Sequence, residues 1–204
     1  MTRYLKSFEE AAEFHGHKCP GLAYGYRAAE YALKELFQDR AQDEELVAIV
    51  ENDACGIDAI QFLTGCTIGK GNLIFNDYGK QVYTFIKRNG SDAVRIVQKD
   101  KTSMGDFDKV TGELSDKVFS NTATDEEKIE FFRRREIVMN KILQMPVEDL
   151  YTLKHIKPQI PEKARLFKSH KCARCGETVS ESRARIENGE IVCIPCFNEY
   201  SRGW

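Results

Sequence analysis

Two Cys-x-x-Cys pairs near the C-terminus, Cys172/Cys175 and Cys193/Cys196 with seventeen residues between the pairs, constrain the fold more than any other feature. Four thiols at this spacing match a closed, tetrahedral structural zinc site. The stretch Ala184 to Val192 reads as a hairpin on an Asn188-Gly189 turn. Phe197-Asn198-Glu199-Tyr200 is expected to open a helix at the second pair. A module over residues 171–204 is too small to fold on apolar burial alone, so the metal supplies the missing free energy. Its charges balance: Lys171, Arg174, Arg183, Arg185 and Arg202 face Glu177, Glu181, Glu187, Glu190 and Glu199. Modules that read nucleic acid carry a basic excess, so nucleic acid is not expected and a protein partner is the better fit.

The rest of the chain is long enough for a domain of its own. The 204 residues carry a net charge of −2, which gives no overall pull toward polyanions or anionic membrane. No apolar run approaches a membrane span, and Met1 to Lys6 carries no hydrophobic signal, so a cytoplasmic protein without a membrane partner is expected. Seven cysteines, four of them in the paired motif, argue for reduced thiols and metal rather than a disulfide framework. The expected division is a core domain over residues 1–153, a basic linker over 154–170 and the finger over 171–204.

A second cluster lies near the N-terminus. His15-Gly16-His17-Lys18-Cys19-Pro20-Gly21 holds two of only four histidines and a thiol within five residues. In extended backbone His15, His17 and Cys19 point the same way. Pro20 suits the first position of a helix, which makes Cys19 the N-cap. The positive end of a helix dipole is expected to lower the Cys19 pKa and favour thiolate. Cys55 lies at a second strand-to-helix junction, flanked by Asp53 and Asp58, in the same electrostatic setting. Thiolates and imidazole form a metal-ligand set, and equally a nucleophile–base set.

Read in order, Ser7 caps a helix over Phe8–Phe14, and a long helix follows from Gly21 to about Phe37. Leu22, Tyr26, Ala29, Leu33 and Leu36 form its apolar stripe, beside a row of small residues, Gly21, Gly25, Ala28 and Ala32, that admits a close backbone. Leu46–Val50 reads as a buried strand, and Ile57 to Leu63 as a helix stopped by Gly65. The turn Thr67–Asn72 is rich in glycine but is not a P-loop. Residues 73–75, 81–87 and 93–97 read as strands, residues 99–124 as loop with at most a short helix, and Thr124 as the cap of a helix to about Met145. Arg133-Arg134-Arg135 is expected on that helix's solvated face. The sum is an α+β fold: a mostly antiparallel sheet of about four or more strands with helices packed on it, plus the small zinc-binding, treble-clef-like domain.

Residues 14–27, beginning Phe14-His15-Gly16-His17-Lys18-Cys19-Pro20-Gly21-Leu22, together with Cys55-Gly56-Ile57-Asp58 through Asn72-Leu73, resemble the E-subunit family of formylmethanofuran dehydrogenase. The likeness covers about residues 8–100, and the finger is similar to one that many members append. The resemblance implies an α+β core, a homodimer, and a cleft lined by the His-Cys segment and the Cys55 helix. It also implies a setting in one-carbon redox metabolism, beside a molybdenum or tungsten enzyme. The catalytic subunits of such a complex are other chains, and nothing here resembles a molybdopterin or formyl-transfer site.

Three functions follow. In the first, His17, Cys19 and Cys55, with His15 nearby, hold a second transition metal with an open position. Its metal-free variant uses Cys19 and Cys55 as nucleophiles and His15 or His17 as base. In the second, the chain is a non-catalytic accessory protein that docks a partner through the finger. The third, nucleic-acid binding, ranks last. Whether Cys66, Asp53 or Lys70 join the core site is left open by the spacing.

Overall fold

The computed structural model describes residues 5–203; the part of the N-terminal reading that falls on Met1 to Tyr4 lies outside the described residues, as does Trp204. The chain forms two compact units, Met1–Lys163 and Ala164–Trp204.

In the first unit, α1 (Phe8–His15) starts at a capping box. The Ser7 hydroxyl accepts from the Glu10 N–H at 3.2 Å, and the Glu10 carboxylate accepts from the Ser7 N–H at 2.8 Å. Helix α2 (Pro20–Glu35) buries Leu22, Ala28, Ala29, Ala32 and Leu33, the stripe and the small-residue row together. Strand β1 (Leu46–Val50) leads into α3 (Gly56–Thr64), which ends on Gly65 at a left-handed φ of 73°. Then come β2 (Leu73–Phe75), β3 (Val82–Lys87) and β4 (Ala93–Gln98). A fifth strand, β5 (Tyr151–His155), completes a mixed sheet of order β2-β1-β3-β4-β5. Only β1–β2 is parallel; the other pairs are antiparallel. Val50 pairs with Tyr83, Tyr83 with Ile96 and Ile96 with Leu153, a row that packs under the helices with Leu22, Leu33 and Ile60.

Three local expectations are revised. Lys154 and His155 do not begin a linker: they lie in β5, where Tyr151 and Leu153 face the core between outward polar residues. The stretch after β4 is not loop. It holds α4 (Met104–Phe107) and α5 (Lys109–Phe119), the latter capped by Asp108, whose carboxylate accepts from the Val110 N–H at 3.2 Å. Helix α5 buries only Thr111 and Leu114, too few to show as a stripe; its Gly112 meets Gly105 so closely that an added Cβ would lie 2.8 Å from the Gly105 Cα. Next, α6 (Asp125–Gln144) runs from the Thr124 capping box, and the short α7 (Val147–Leu150) precedes β5.

In the second unit, β6 (Ser169–Lys171) pairs with β7 (Thr178–Ser180), and β8 (Ala184–Glu187) with β9 (Glu190–Cys193) across the expected turn, where Asn188 and Gly189 have φ of 53° and 86°. The third revision falls here. The second cysteine pair ends in a single 3-10 turn, Ile194–Cys196, and residues 197–203 are not helical. Phe197 leaves helical backbone at ψ 128° and packs against the Cys172–Val192 cluster instead.

Candidate metal and thiol site

The core site assembles where α1 ends and α2 and α3 begin. Gly16 caps α1 at a left-handed φ of 93°, a conformation costly for other residues, and turns the chain so that His15 and His17 share one side. Their rings stand 4.4 Å apart between centroids. Cys19 is the N-cap of α2: its sulfur accepts from the Leu22 N–H at 3.3 Å, and Pro20 follows at the first helical position.

Helix α3 supplies the next part. The His15 Nδ1 lies 2.7 Å from the Asp58 carboxylate, which leaves Nε2 turned toward the Cys19 sulfur at 3.9 Å. One ligand atom each from His15, His17 and Cys19 lie within 4.8 Å of one another. Ligands around tetrahedral zinc are about 3.3–3.8 Å apart, so small rotations of these side chains would let them share one ion.

Cys55 stands just outside that group but borders it. A Cβ added at Gly21 would lie 3.8 Å from the Cys55 sulfur and 3.9 Å from the Cys19 sulfur, so both thiols flank one glycine. What draws α2 and α3 so close is Gly25 against Gly56: a Cβ at Gly25 would sit 2.0 Å from the Gly56 carbonyl oxygen. The small-residue row of α2 serves this approach.

The electrostatics correct one expectation. Cys19 is only 1% exposed, and burial raises its pKa, outweighing the Leu22 N–H; the neighbouring Cys55 adds to the rise. Burial outweighs the helix N-terminus. His17 is lowered, first by desolvation, then by the charges of His15 and Arg135.

The other residues raised by the sequence stand apart. The Cys66 sulfur donates to the Leu46 carbonyl at 3.3 Å, and burial pushes its thiol up to about 11. Lys70 donates to the Gln42 and Asp43 carbonyls, and Asp53 is exposed. Cys66 is therefore expected to resist iodoacetamide in native protein at pH 8 and react only in denaturant, as read by peptide mass spectrometry. Because its folded pKa lies above that of an unfolded thiol (about 8.5), the buried thiol's stabilisation is full below that value and is lost as pH rises toward 11.

Two residues of the candidate site are not legible in the sequence. Asp58 reads there only as flanking Cys55, although three residues along a helix put both on one side of α3. Arg135 reads as solvated, but it lines a cavity of about 280 Å³ beside the thiols, with Pro20, Gly21, Tyr24 and Ala54. Nothing local in an Arg-Arg-Arg run marks which member turns inward.

In the second unit the sulfurs of Cys172, Cys175, Cys193 and Cys196 lie within 4.8 Å of one another, with Cys175 and Cys193 at 3.8 Å. The Cys175 and Cys193 N–H groups hold the Cys172 thiol down at about 6, whereas neighbouring sulfurs, Cys193 first, push Cys196 up to about 12. One sulfur is prepared as thiolate, and three more stand within reach of the same ion. That fits structural zinc.

Comparison with known proteins agrees with both units. The family model described as "FmdE, Molybdenum formylmethanofuran dehydrogenase operon" matches residues 14–152, and that of the prokaryotic dksA/traR C4-type zinc finger matches residues 165–202. A "Probable S-adenosyl-L-methionine-binding protein" of Archaeoglobus fulgidus is 32% identical over 208 residues, spanning 98% of this chain but only 54% of that protein. The crystal structure of a tungsten formylmethanofuran dehydrogenase FmdE-like protein from Syntrophus aciditrophicus superposes with a TM-score of 0.60 at 25% identity, covering 96% of each chain. Among the described residues no helix is long and apolar enough to cross a membrane.

Proposed function

Because the chain belongs to the FmdE family, we propose that it is a metal-binding protein with two centres: a structural zinc in the four-cysteine finger, and a transition metal held in the core by His15, His17 and Cys19, with Cys55 at its edge. The carrying observation is the continuous line from the Asp58 carboxylate through both nitrogens of His15 to the Cys19 sulfur, with distances of 2.7 and 3.9 Å. A histidine that ligates a metal characteristically donates its other ring N–H to a carboxylate, which fixes ring and tautomer. The same line suits a histidine base beside a thiol, but the burial of Cys19 favours the metal: a bound cation is what makes a thiolate stable there. Three protein ligands would leave an ion room for water or substrate, as in catalytic zinc sites, and the ion would supply a Lewis acid and an activated water. His15 and Asp58 hold the ligand orientation, and Cys55 offers a second thiol at the rim. The family setting points to a homodimer working in one-carbon redox metabolism in the cytoplasm. A docking role for the finger is compatible with both metals.

Metal analysis of purified protein tests this. The expected content is two metal ions per chain, falling to one in Cys19→Ser. Asp58→Asn should keep the fold and weaken the second metal about 10- to 100-fold, the usual effect of losing such a carboxylate. A Cys19→Ser protein that keeps both metals would sink the core centre.

A further inference from the structure

The run of three arginines on α6 is not equivalent in space. Arg133 and Arg134 both bind Glu130, at 2.7 and 2.6 Å, and Arg134 also reaches Asp108 at 2.8 Å. Arg135 has no carboxylate partner among the described residues. It is half-buried and is one of the walls of the 280 Å³ cavity that opens at the start of α2. No acidic side chain lines that cavity; Arg135 and Pro20 also border a second hollow, which Lys18, Glu136 and Met139 line, and Glu136 does not pair with Arg135 there. Arginines are seldom left half-buried without an anion, because the guanidinium loses hydration there without gaining a partner.

The remaining walls say more about what enters. Pro20 and Gly21, in the first turn of α2, present the positive end of a sixteen-residue helix. Tyr24, Tyr83 and Met104 give apolar surface. The two glutamines are partly engaged: the Gln81 carbonyl accepts from the Tyr83 hydroxyl at 3.4 Å and the Gln98 amide donates to the Thr102 hydroxyl at 3.1 Å. That leaves the Gln81 amide nitrogen and the Gln98 carbonyl oxygen for an uncharged polar group. The size falls at the lower end of ligand sites, too small for a nucleotide. The cavity also adjoins the thiols through Gly21, one of its walls, which both the Cys19 and Cys55 sulfurs flank.

We propose that this cavity is the substrate subsite of the core centre, and that it takes a small organic carboxylate, whose charged group is held by Arg135 and whose short carbon body lies between Tyr24 and Met104, directed past Gly21 toward the sulfurs. The assignment of the subsite to a reacting centre rests on the metal reading of His15, His17 and Cys19; the anion site itself does not. A planar carboxylate matches the guanidinium fork and the mainly apolar walls, whereas inorganic phosphate would need more donors than one arginine and one free amide.

Calorimetric titration of the full-length, metal-loaded protein with pyruvate, and separately with inorganic phosphate at equal ionic strength, tests the proposal. Pyruvate is expected to bind, and Arg135→Gln to weaken it at least tenfold. Arg133→Gln, on the exposed side of the same helix, should leave it unchanged. Cobalt put in place of the core metal should change its visible spectrum when pyruvate is added to the unmodified protein and not in Arg135→Gln. Pyruvate binding that is absent, or indifferent to Arg135→Gln, overturns the proposal while two bound metals keep the metal reading standing. Phosphate bound more tightly with the same dependence on Arg135 overturns the carboxylate assignment. A single metal per chain, with pyruvate binding still lost in Arg135→Gln, refutes the metal centre and keeps the anion site.

Discussion

Stripping zinc from the protein is expected to unfold the Ala164–Trp204 unit completely and to leave the first unit folded. The reason is the size of what else could hold it. Among the described residues of the finger, the buried apolar cluster is Cys172, Val192 and Cys193, with Val179, Cys196 and Phe197 partly covered. Full burial of an apolar side chain contributes about 1.5–3 kcal/mol, against about 1–2 kcal/mol for ordering each residue's backbone, so a core this small cannot offset the ordering of the unit. The apparent binding energy of structural zinc, about 10–16 kcal/mol, exceeds what the three buried side chains contribute together. The preparation of the site is visible in Cys172, whose sulfur receives the Cys193 N–H at 3.4 Å, and whose thiol the Cys175 and Cys193 N–H groups hold down at about 6. Cys172→Ser should give the same result as chelation. Limited proteolysis should then cut within the finger while a fragment ending near Lys163 survives, and finger amide resonances should collapse to unfolded positions. Persistent amide dispersion in the finger after zinc removal would show that the four thiols are not what holds it.

Legibility in the sequence followed how local the determining physics is. The finger ligands, the Asn188-Gly189 hairpin, the caps Ser7, Cys19 and Thr124 and the stop at Gly65 are fixed by residues within a few positions, and each appears where the pattern put it. Strand β5 and helix α5 depend on partners outside their own segments: Tyr151 acquires its meaning from Gln98, and α5 packs against α6. The same division runs through the core site. That Cys19 caps a helix could be read from Pro20. That Asp58 would meet His15, 43 residues earlier, could not, since it requires the crossing of α1 and α3. Nor could the direction of the Cys19 pKa: the helix terminus is a local property and argues for a lower value, but burial under the assembled helices is a tertiary one and raises it. The small-residue row in α2 lies between these cases. Its purpose, a close backbone approach, was legible; its partner, Gly56, was not.

That approach carries the second large effect. Gly25→Ala is expected to destabilise the first unit by about 3 kcal/mol or more and to abolish the core metal while sparing the finger's zinc. The added methyl would fall 2.0 Å from the Gly56 carbonyl oxygen and 2.3 Å from its Cα, backbone atoms that no rotamer change can move aside. Carbon atoms need about 3.5–4.0 Å, so α2 and α3 must separate by roughly 1 Å or more. His15 and Cys19 are positioned from α1 and α2, whereas Asp58 and Cys55 belong to α3 and its start, so the separation pulls directly on the 2.7 Å contact between His15 and Asp58. At about 2–4 °C per kcal/mol for a domain of this size, the melting temperature should fall by roughly 6–12 °C. Gly69→Ala is the matched control: nothing lies within 4 Å of its added Cβ, and neither stability nor metal content should change. Metal content read alongside calorimetric melting separates the outcomes. Gly25→Ala protein that melts normally and keeps two metals would mean that the two helices do not meet at Gly25 and Gly56, and the geometry of the core centre would fall with that contact.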